Sequence, residues 1–372
     1  MADLLDYLDW RGDLDFNASS FNKVDALMLS LISYNIFDGF LDESFAGRKS
    51  MQEILEAFYK APDFEERKDI GAMINEKTFD VFEKMVTVAR FKDLQLTAYK
   101  SVINLESTEQ FAAITFIWGK TNIVVFRGTD DSIVGWKEDF NISWQNPIPS
   151  QIHALDYFDK AAASLKGDFI LIGHSKGGNL VVNTAAKTSA KNQKRILTVY
   201  NFDGPGFEND YYLQAGFLNV KNKIKSFYPA FSIVGMIFKH PEDFEIVQSN
   251  GSAIMQHDPL TWQISGPDFI HEEDFTSESK FFYTTFNEWV KKISIDQRKI
   301  IVATLFDIIE ASGCTSNKEL VKNRIHASAK MIEAYAKLNR ERKNDIHKIV
   351  RVLRQAVHDS LPMLSLINVN QK

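Results

Sequence analysis

Phe169-Ile170-Leu171-Ile172-Gly173-His174-Ser175-Lys176-Gly177-Gly178 is the stretch that decides the fold. An apolar run ends in Gly-x-Ser-x-Gly, and residues 179–190 that follow, with three alanines, read as a helix. A strand that turns this sharply into a helix lifts the serine hydroxyl clear of the backbone, where a base can activate it. So tight a bend leaves no room for side chains two residues before and two after the serine. Gly173 and Gly177 meet that demand. The first N–H groups of the new helix then point at whatever negative charge forms near Ser175.

Outward from this turn, strands and helices alternate. Apolar runs predict strands over 111–118 and 122–126, joined by a tight turn at Gly119-Lys120. Further strands are expected over 168–172, 196–202 and 224–228 and near 244–248, with helices over 152–165 and 178–190. That alternation predicts an α/β protein with a mostly parallel central sheet and helices on both faces. Residues 1–90 read as a helical section packed on the core, because 24–32 and 78–88 carry apolar residues at helical spacing. The core then occupies 91–280, and 281–372 form a C-terminal helical appendage. In the appendage Ile346, Ile349, Val350, Leu353, Val357 and Leu361 mark one apolar face until Pro362 stops the helix.

The chain has 372 residues, 45% of them hydrophobic and 12% aromatic, ample for a large core. Its net charge of −6 provides no general positive field for nucleic acid. The single cysteine, Cys314, has no internal partner, and Met1-Ala2-Asp3-Leu4 does not place a basic region before an apolar one, so a cytoplasmic location is expected. No apolar run approaches the ~20 residues that span a bilayer, so no integral membrane segment is expected.

A serine nucleophile needs a base and an acid, which in this fold follow it in the order Asp, His. His257 is the best placed histidine, in a loop opened by Asn250-Gly251-Ser252 and closed by Pro259. His174 adjoins the serine, so its ring points away and is structural. His240, His271, His326, His347 and His358 have surface or helical contexts. Asp203 ends the apolar run 197–202 and precedes Gly204-Pro205-Gly206, which leaves its carboxylate at the sheet edge. There it serves either to orient His257 or simply as a turn former. Asp258 adjoins His257 and cannot easily bend to its ring.

Other chemistries find no footing. A phosphate loop, a His-Glu-x-x-His helix and a cysteine pair are all missing, and His271-Glu272-Glu273 and His240-Pro241-Glu242-Asp243 lack ligand spacing. Neither a metal nor a cofactor is implied. Arg340-Glu341-Arg342-Lys343, Arg351 and Arg354 read as a solvated helix face, with a basic docking surface as the alternative.

Seven ordered segments carry a resemblance: Tyr7-Leu8-Asp9-Trp10-Arg11-Gly12-Asp13, Phe21-Asn22-Lys23-Val24-Asp25-Ala26, Phe126-Arg127-Gly128-Thr129-Asp130, the Gly173 to Gly178 turn, Asn201-Phe202-Asp203-Gly204-Pro205-Gly206, Ser232-Ile233-Val234-Gly235 and Gln256-His257-Asp258-Pro259. Together they resemble the Mbeg-like family, bacterial proteins with an α/β-hydrolase fold that are distantly similar to the class 3 (fungal-type) lipases. The resemblance runs over most of the first 270 residues. It implies a serine hydrolase in which Ser175 attacks an ester or thioester and His257 carries the proton. Thr129 and the Lys176 N–H would then form the oxyanion hole. Arg127 and Asp139, with Trp136 between them, are read as an ion pair bracing the Thr129 loop. Class 3 lipases carry their acid one strand later than Asp203, and this chain has Ser232 there. Pancreatic-type lipases place theirs where Asp203 stands. Residues 227–238 are expected to line an acyl pocket or to form a core helix. The alternative is a non-catalytic binding or scaffold protein whose C-terminal helices dock a protein partner.

Overall fold

The computed structural model describes residues 2–72, 74–240 and 243–369, and the side chains of all of these except 209 and 361–369. Eight strands lie side by side in chain order: β1 (Lys49–Ser50), β2 (Gln95–Asn104), β3 (Glu109–Trp118), β4 (Thr121–Phe126), β5 (Asp168–His174), β6 (Ile196–Phe202), β7 (Ile224–Pro229) and β8 (Glu245–Val247). From β1 to β4 the pairing is antiparallel, and from β4 to β8 it is parallel. A short ribbon, β9 (Ile264–Ser265) with β10 (Asp268–Phe269), stands apart from this sheet.

Five helices precede β2: α1 (Leu4–Arg11), α2 (Lys23–Ile32), α3 (Met51–Lys60), α4 (Phe64–Lys68) and α5 (Thr78–Thr87). Between the later strands lie α6 (Ile133–Asn141), α7 (Pro149–Ser164), α8 (Lys176–Lys187), α9 (Ala190–Arg195) and α10 (Ala215–Val220). The C-terminal helices are α11 (Ser277–Lys292), α12 (Ile295–Glu310), α13 (Asn317–Lys322), α14 (Arg324–Lys337) and α15 (Arg340–Val369).

Strand side chains alternate between faces, and here both faces are buried. Ile123, Val125, Ile170 and Ile172 pack with α1, α2, α3 and α5. Val124, Phe126, Phe169 and Leu171 pack with α7, α8 and α10. The helical front section is therefore the cover of one sheet face. Helices thus lie on both faces of a mostly parallel sheet, the α/β-hydrolase architecture. Two of the resembling segments serve this packing: Tyr7 Oη donates to Asp25 Oδ1 at 2.9 Å, and Arg90 pairs with Asp25 at 2.5 Å, both charges fully buried. Losing either partner would strand the other charge, at a cost of about 3–5 kcal/mol.

One long strand lies outside the expected set, and two expectations about the last helix need correction. The first strand of the long meander, β2, carries no clean alternation because the register slips between Thr97 and Tyr99, with Ala98 at φ 48°. The last helix does not stop at Pro362 but runs to Val369; a proline removes one amide donor without compelling a chain to leave the helix. Its buried face is Ile349, Ala356 and Ser360, leaving Val350 and Leu353 more than a third exposed; the Leu361 side chain lies outside the described residues. Among the described residues no helix is long and apolar enough to cross a membrane.

Candidate active site

Ser175 stands between β5 and α8 at φ 58° and ψ −131°, a backbone region that costs a residue with a Cβ about 1–3 kcal/mol. The ladder to β6 continues up to it, its N–H donating to the Phe202 carbonyl at 2.9 Å. A Cβ on Gly173 would stand 2.1 Å from the Gly177 carbonyl oxygen, and one on Gly177 the same distance from that of Phe126. Both glycines are thus dictated by the turn. Ser175 is 9% exposed.

Asp203 leaves the end of β6 with φ 49°, its side chain fully buried. Its Oδ2 lies 2.5 Å from His257 Nδ1, and its Oδ1 accepts from Ser232 Oγ at 2.6 Å. A carboxylate on Nδ1 holds the proton there and leaves Nε2 as the basic nitrogen. Ser232 is itself held twice: its N–H donates to Ser279 Oγ at 2.8 Å, and Ser279 Oγ donates to the Ser232 carbonyl at 2.6 Å. Ser279 belongs to α11. Gly235 completes this approach, since a Cβ there would meet Asp203 Oδ1 at 2.3 Å.

His257 closes a short 3-10 turn, Ala253–His257. Its carbonyl accepts from His174 Nε2 at 2.9 Å, and the two rings lie 4.5 Å apart. His174 Nδ1 faces Tyr34 Oη at 3.1 Å, so the tyrosine donates and the histidine accepts. Burial, followed by the nearby His257 ring, holds the His174 pKa well below the usual histidine range. It is a neutral strut between the serine turn and the His257 loop. Asp258, as its position implied, turns elsewhere, to the Leu260 N–H and to Asn75 Nδ2. The front section is thus tied to the His257 loop, and also to the loop after β4, where the Ala72 N–H donates to Asp131 Oδ1 at 3.0 Å.

The Arg127-Gly128-Thr129 loop lies directly against the serine. A Cβ on Gly128 would come within 2.1 Å of Tyr34 Oη and 3.1 Å of Ser175 Cβ. The expected Arg127–Asp139 ion pair is not formed: Arg127 pairs with Asp130 at 3.1 Å, only three residues away. Asp139 instead accepts the Thr129 hydroxyl at 2.6 Å. That leaves Thr129 its main-chain N–H to offer a ligand. Lys176, at the first position of α8, likewise has an amide that finds no partner within the helix.

The Lys176 side chain has a separate task. Fully buried, its ammonium meets Glu138 Oε2 at 2.8 Å and both oxygens of Gln110 at 2.7 Å. Glu138 also receives the Gln110 and Ser150 N–H groups, which ties α6, α7 and β3 to the serine turn. Sequence reasoning used only the Lys176 amide and missed Glu138, Gln110, Tyr34 and Ser279. A lysine inside so buried a turn was the available signal for Glu138, since a buried ammonium requires an anion.

Burial, opposed chiefly by Lys176, pushes the Asp139 carboxyl up to about 6 from 3.8. The folded protein therefore holds this proton where the unfolded chain has lost it, and the associated stability disappears as pH rises from 3.8 through about 6. Asp139→Asn should consequently gain on the wild type as pH increases through that window. Urea unfolding at several pH values measures this, and a difference that stays constant with pH would refute it.

His240 is half-buried rather than on the open surface: its ring packs against Tyr228, and desolvation lowers its pKa to about 3. Nor do residues 231–238 form a core helix; they make irregular turns in which Met236 and Phe238 are buried. Glu245, Asp268 and His271 approach one another closely enough to hold a cation, but the Lys23 ammonium lies 2.8 Å from both carboxylates.

Comparison with known proteins gives one family. The profile of the Mbeg1-like family matches residues 85–307, from the end of α5 to α12. That range holds every site residue above except Tyr34, Ala72 and Asn75, and the Tyr7 and Asn22 segments fall before it. The chain matches no curated protein. Similar solved structures include M37 lipase, 16% identical with a TM-score of 0.36 over 58% of this chain and 70% of that one. A triacylglycerol lipase from Penicillium expansum is 14% identical, with a TM-score of 0.29 over 47% of this chain and 75% of the other. A Rhizomucor miehei lipase propeptide complex is 17% identical, with a TM-score of 0.31 over 66% and 83%.

Proposed function

This chain belongs to the Mbeg1-like family, and from that premise we propose that it is a serine hydrolase of carboxylic esters or thioesters. The observation that carries the reading is the 2.5 Å contact of Asp203 with His257 Nδ1, together with a serine held at positive φ in the strand-to-helix turn. Nothing in packing requires a buried carboxylate to be aimed at that ring nitrogen. On this reading His257 Nε2 takes the Ser175 proton as Oγ attacks the carbonyl carbon, and the carbonyl π electrons move onto oxygen. The Thr129 and Lys176 amides receive that oxyanion. Collapse of the tetrahedral intermediate expels the alcohol or thiol, which His257 protonates, leaving an acyl-Ser175. Water, deprotonated by the same nitrogen, then releases the acid and restores the serine.

Asp203 keeps the imidazole in the required tautomer and stabilises the imidazolium. Ser232 and Gly235 let the carboxylate lie there without an unmet oxygen. The non-catalytic reading leans on the missing carboxylate at 232, and the contact of Asp203 with His257 Nδ1 supports the catalytic one against it. The apolar turn at 231–238, joined to Asp203 through Ser232, is assigned to the acyl chain. No metal or cofactor enters these steps.

Aryl esters of graded acyl length test the proposal. Mixing enzyme with excess substrate should release about one equivalent of phenol in a burst before the steady state, because acylation and deacylation are separate steps. An inert enzyme at every chain length would return the site to the non-catalytic alternative.

A further inference from the structure

In the C-terminal section, α14 shows two unlike faces. Ala327 is buried, whereas Ile325 is 84% and Ile332 70% exposed, with Tyr335 on the same side at 39%. At 100° per residue, Ile325, Ala329, Ile332 and Ala336 fall within one narrow stripe, opposite Ala327 and Ala334. Val321, 64% exposed, is a further displayed apolar residue on α13, beyond the break at Asn323, whose φ of −100° and ψ of 21° leave the helical region. A helix docked on α12 by one face has no packing reason to carry two fully displayed isoleucines on the other.

The charge around the stripe is also unlike the rest of the molecule. Residues 317–337 hold five Lys and Arg against two Asp and Glu, in a chain whose net charge is −6; Lys318 pairs with Asp69 and Lys337 with Glu333, which leaves Lys322, Arg324 and Lys330 as the cations with no ion pair among the described residues. Arg324 on one side of the stripe and Lys330 and Lys337 on the other lie about 100–140° round α14 from Ile325, with Lys337 paired to Glu333 at 2.6 Å. At physiological salt, charges are screened beyond about 8 Å, so an approaching surface feels this local excess and not the acidic remainder.

We propose that the outer face of α13 and α14 is a docking surface for an anionic lipid bilayer. Isoleucine and valine side chains would enter the boundary of the acyl region while the flanking cations meet lipid phosphates, the usual division of labour in an interfacial helix. A second copy of this chain fits worse, since it would bring the same basic flanks together. Nucleic acid fits worse too, because an apolar stripe lies at the centre of the basic field and has nothing to offer phosphates.

The test reads partition rather than turnover, so its outcome is independent of Ser175. The full chain is sedimented with vesicles of phosphatidylcholine alone and of phosphatidylcholine with phosphatidylglycerol. The expected result is at least about tenfold stronger binding to the anionic vesicles, weakening with added salt. Ile325→Ser with Ile332→Ser should remove most of it, without loss of fold because both side chains are exposed. Equal partition onto neutral vesicles, no binding to either, or unchanged binding by the double variant would overturn the proposal. Concentration-dependent dimerisation abolished by the same variant, in the absence of vesicle binding, would overturn it in favour of a second copy.

Discussion

A fluorophosphonate probe should label the wild-type chain once, at Ser175, and leave Ser175→Ala unlabelled. Removing the nucleophile should lower ester turnover by about 10⁶-fold, the scale seen when one member of such a cooperating set is lost. The substitution is also a fair test of chemistry rather than of folding. Serine and alanine carry the same Cβ and tolerate φ 58° equally poorly, so the strain is unchanged. Unfolding in denaturant should therefore give a midpoint within about 0.5 kcal/mol of wild type. Labelling that survives in the alanine variant would move the reactive group elsewhere, and an unreactive wild type would remove the enzyme reading altogether.

Asp203→Asn should cost about 10⁴ in kcat while leaving substrate affinity nearly intact. The amide can turn an N–H toward His257 Nδ1, which drives the ring proton to Nε2 and deprives Ser175 of its base. Ser232→Ala separates this role from mere burial. It keeps the carboxylate against the ring but leaves Oδ1 without its 2.6 Å donor, and a lost bond to a charged group is worth about 1.5–3 kcal/mol. A loss of roughly tenfold in kcat is expected, with circular dichroism unchanged. Equal activity of Asp203→Asn and wild type would make Asp203 a turn former and nothing more.

The serine turn was legible in the chain because its geometry leaves no freedom: Gly173 and Gly177 face carbonyl oxygens at 2.1 Å, and only glycine fits. Strands β4 and β5 were equally plain, since burial on both faces writes residues 123–126 and 169–172 as unbroken apolar runs. What stayed hidden depends on distant partners. Arg127 had an acid three residues ahead and another twelve ahead, and spacing alone does not rank them; the structure pairs it with the nearer. Glu138 reads as a surface residue until Lys176 is folded against it. The order of the two carboxyl positions, Asp203 against Ser232, was open because each follows a strand, and only the tertiary contact with His257 distinguishes them.

The pair of bonds between Ser232 and Ser279 joins the last strand-edge loop to the first tail helix. The tail is therefore not a detachable ornament. Any force or loss that shifts α11 is transmitted through two hydroxyls to the buried carboxylate, and a shortened chain ending before Ser277 would retain its sheet yet let that carboxylate swing.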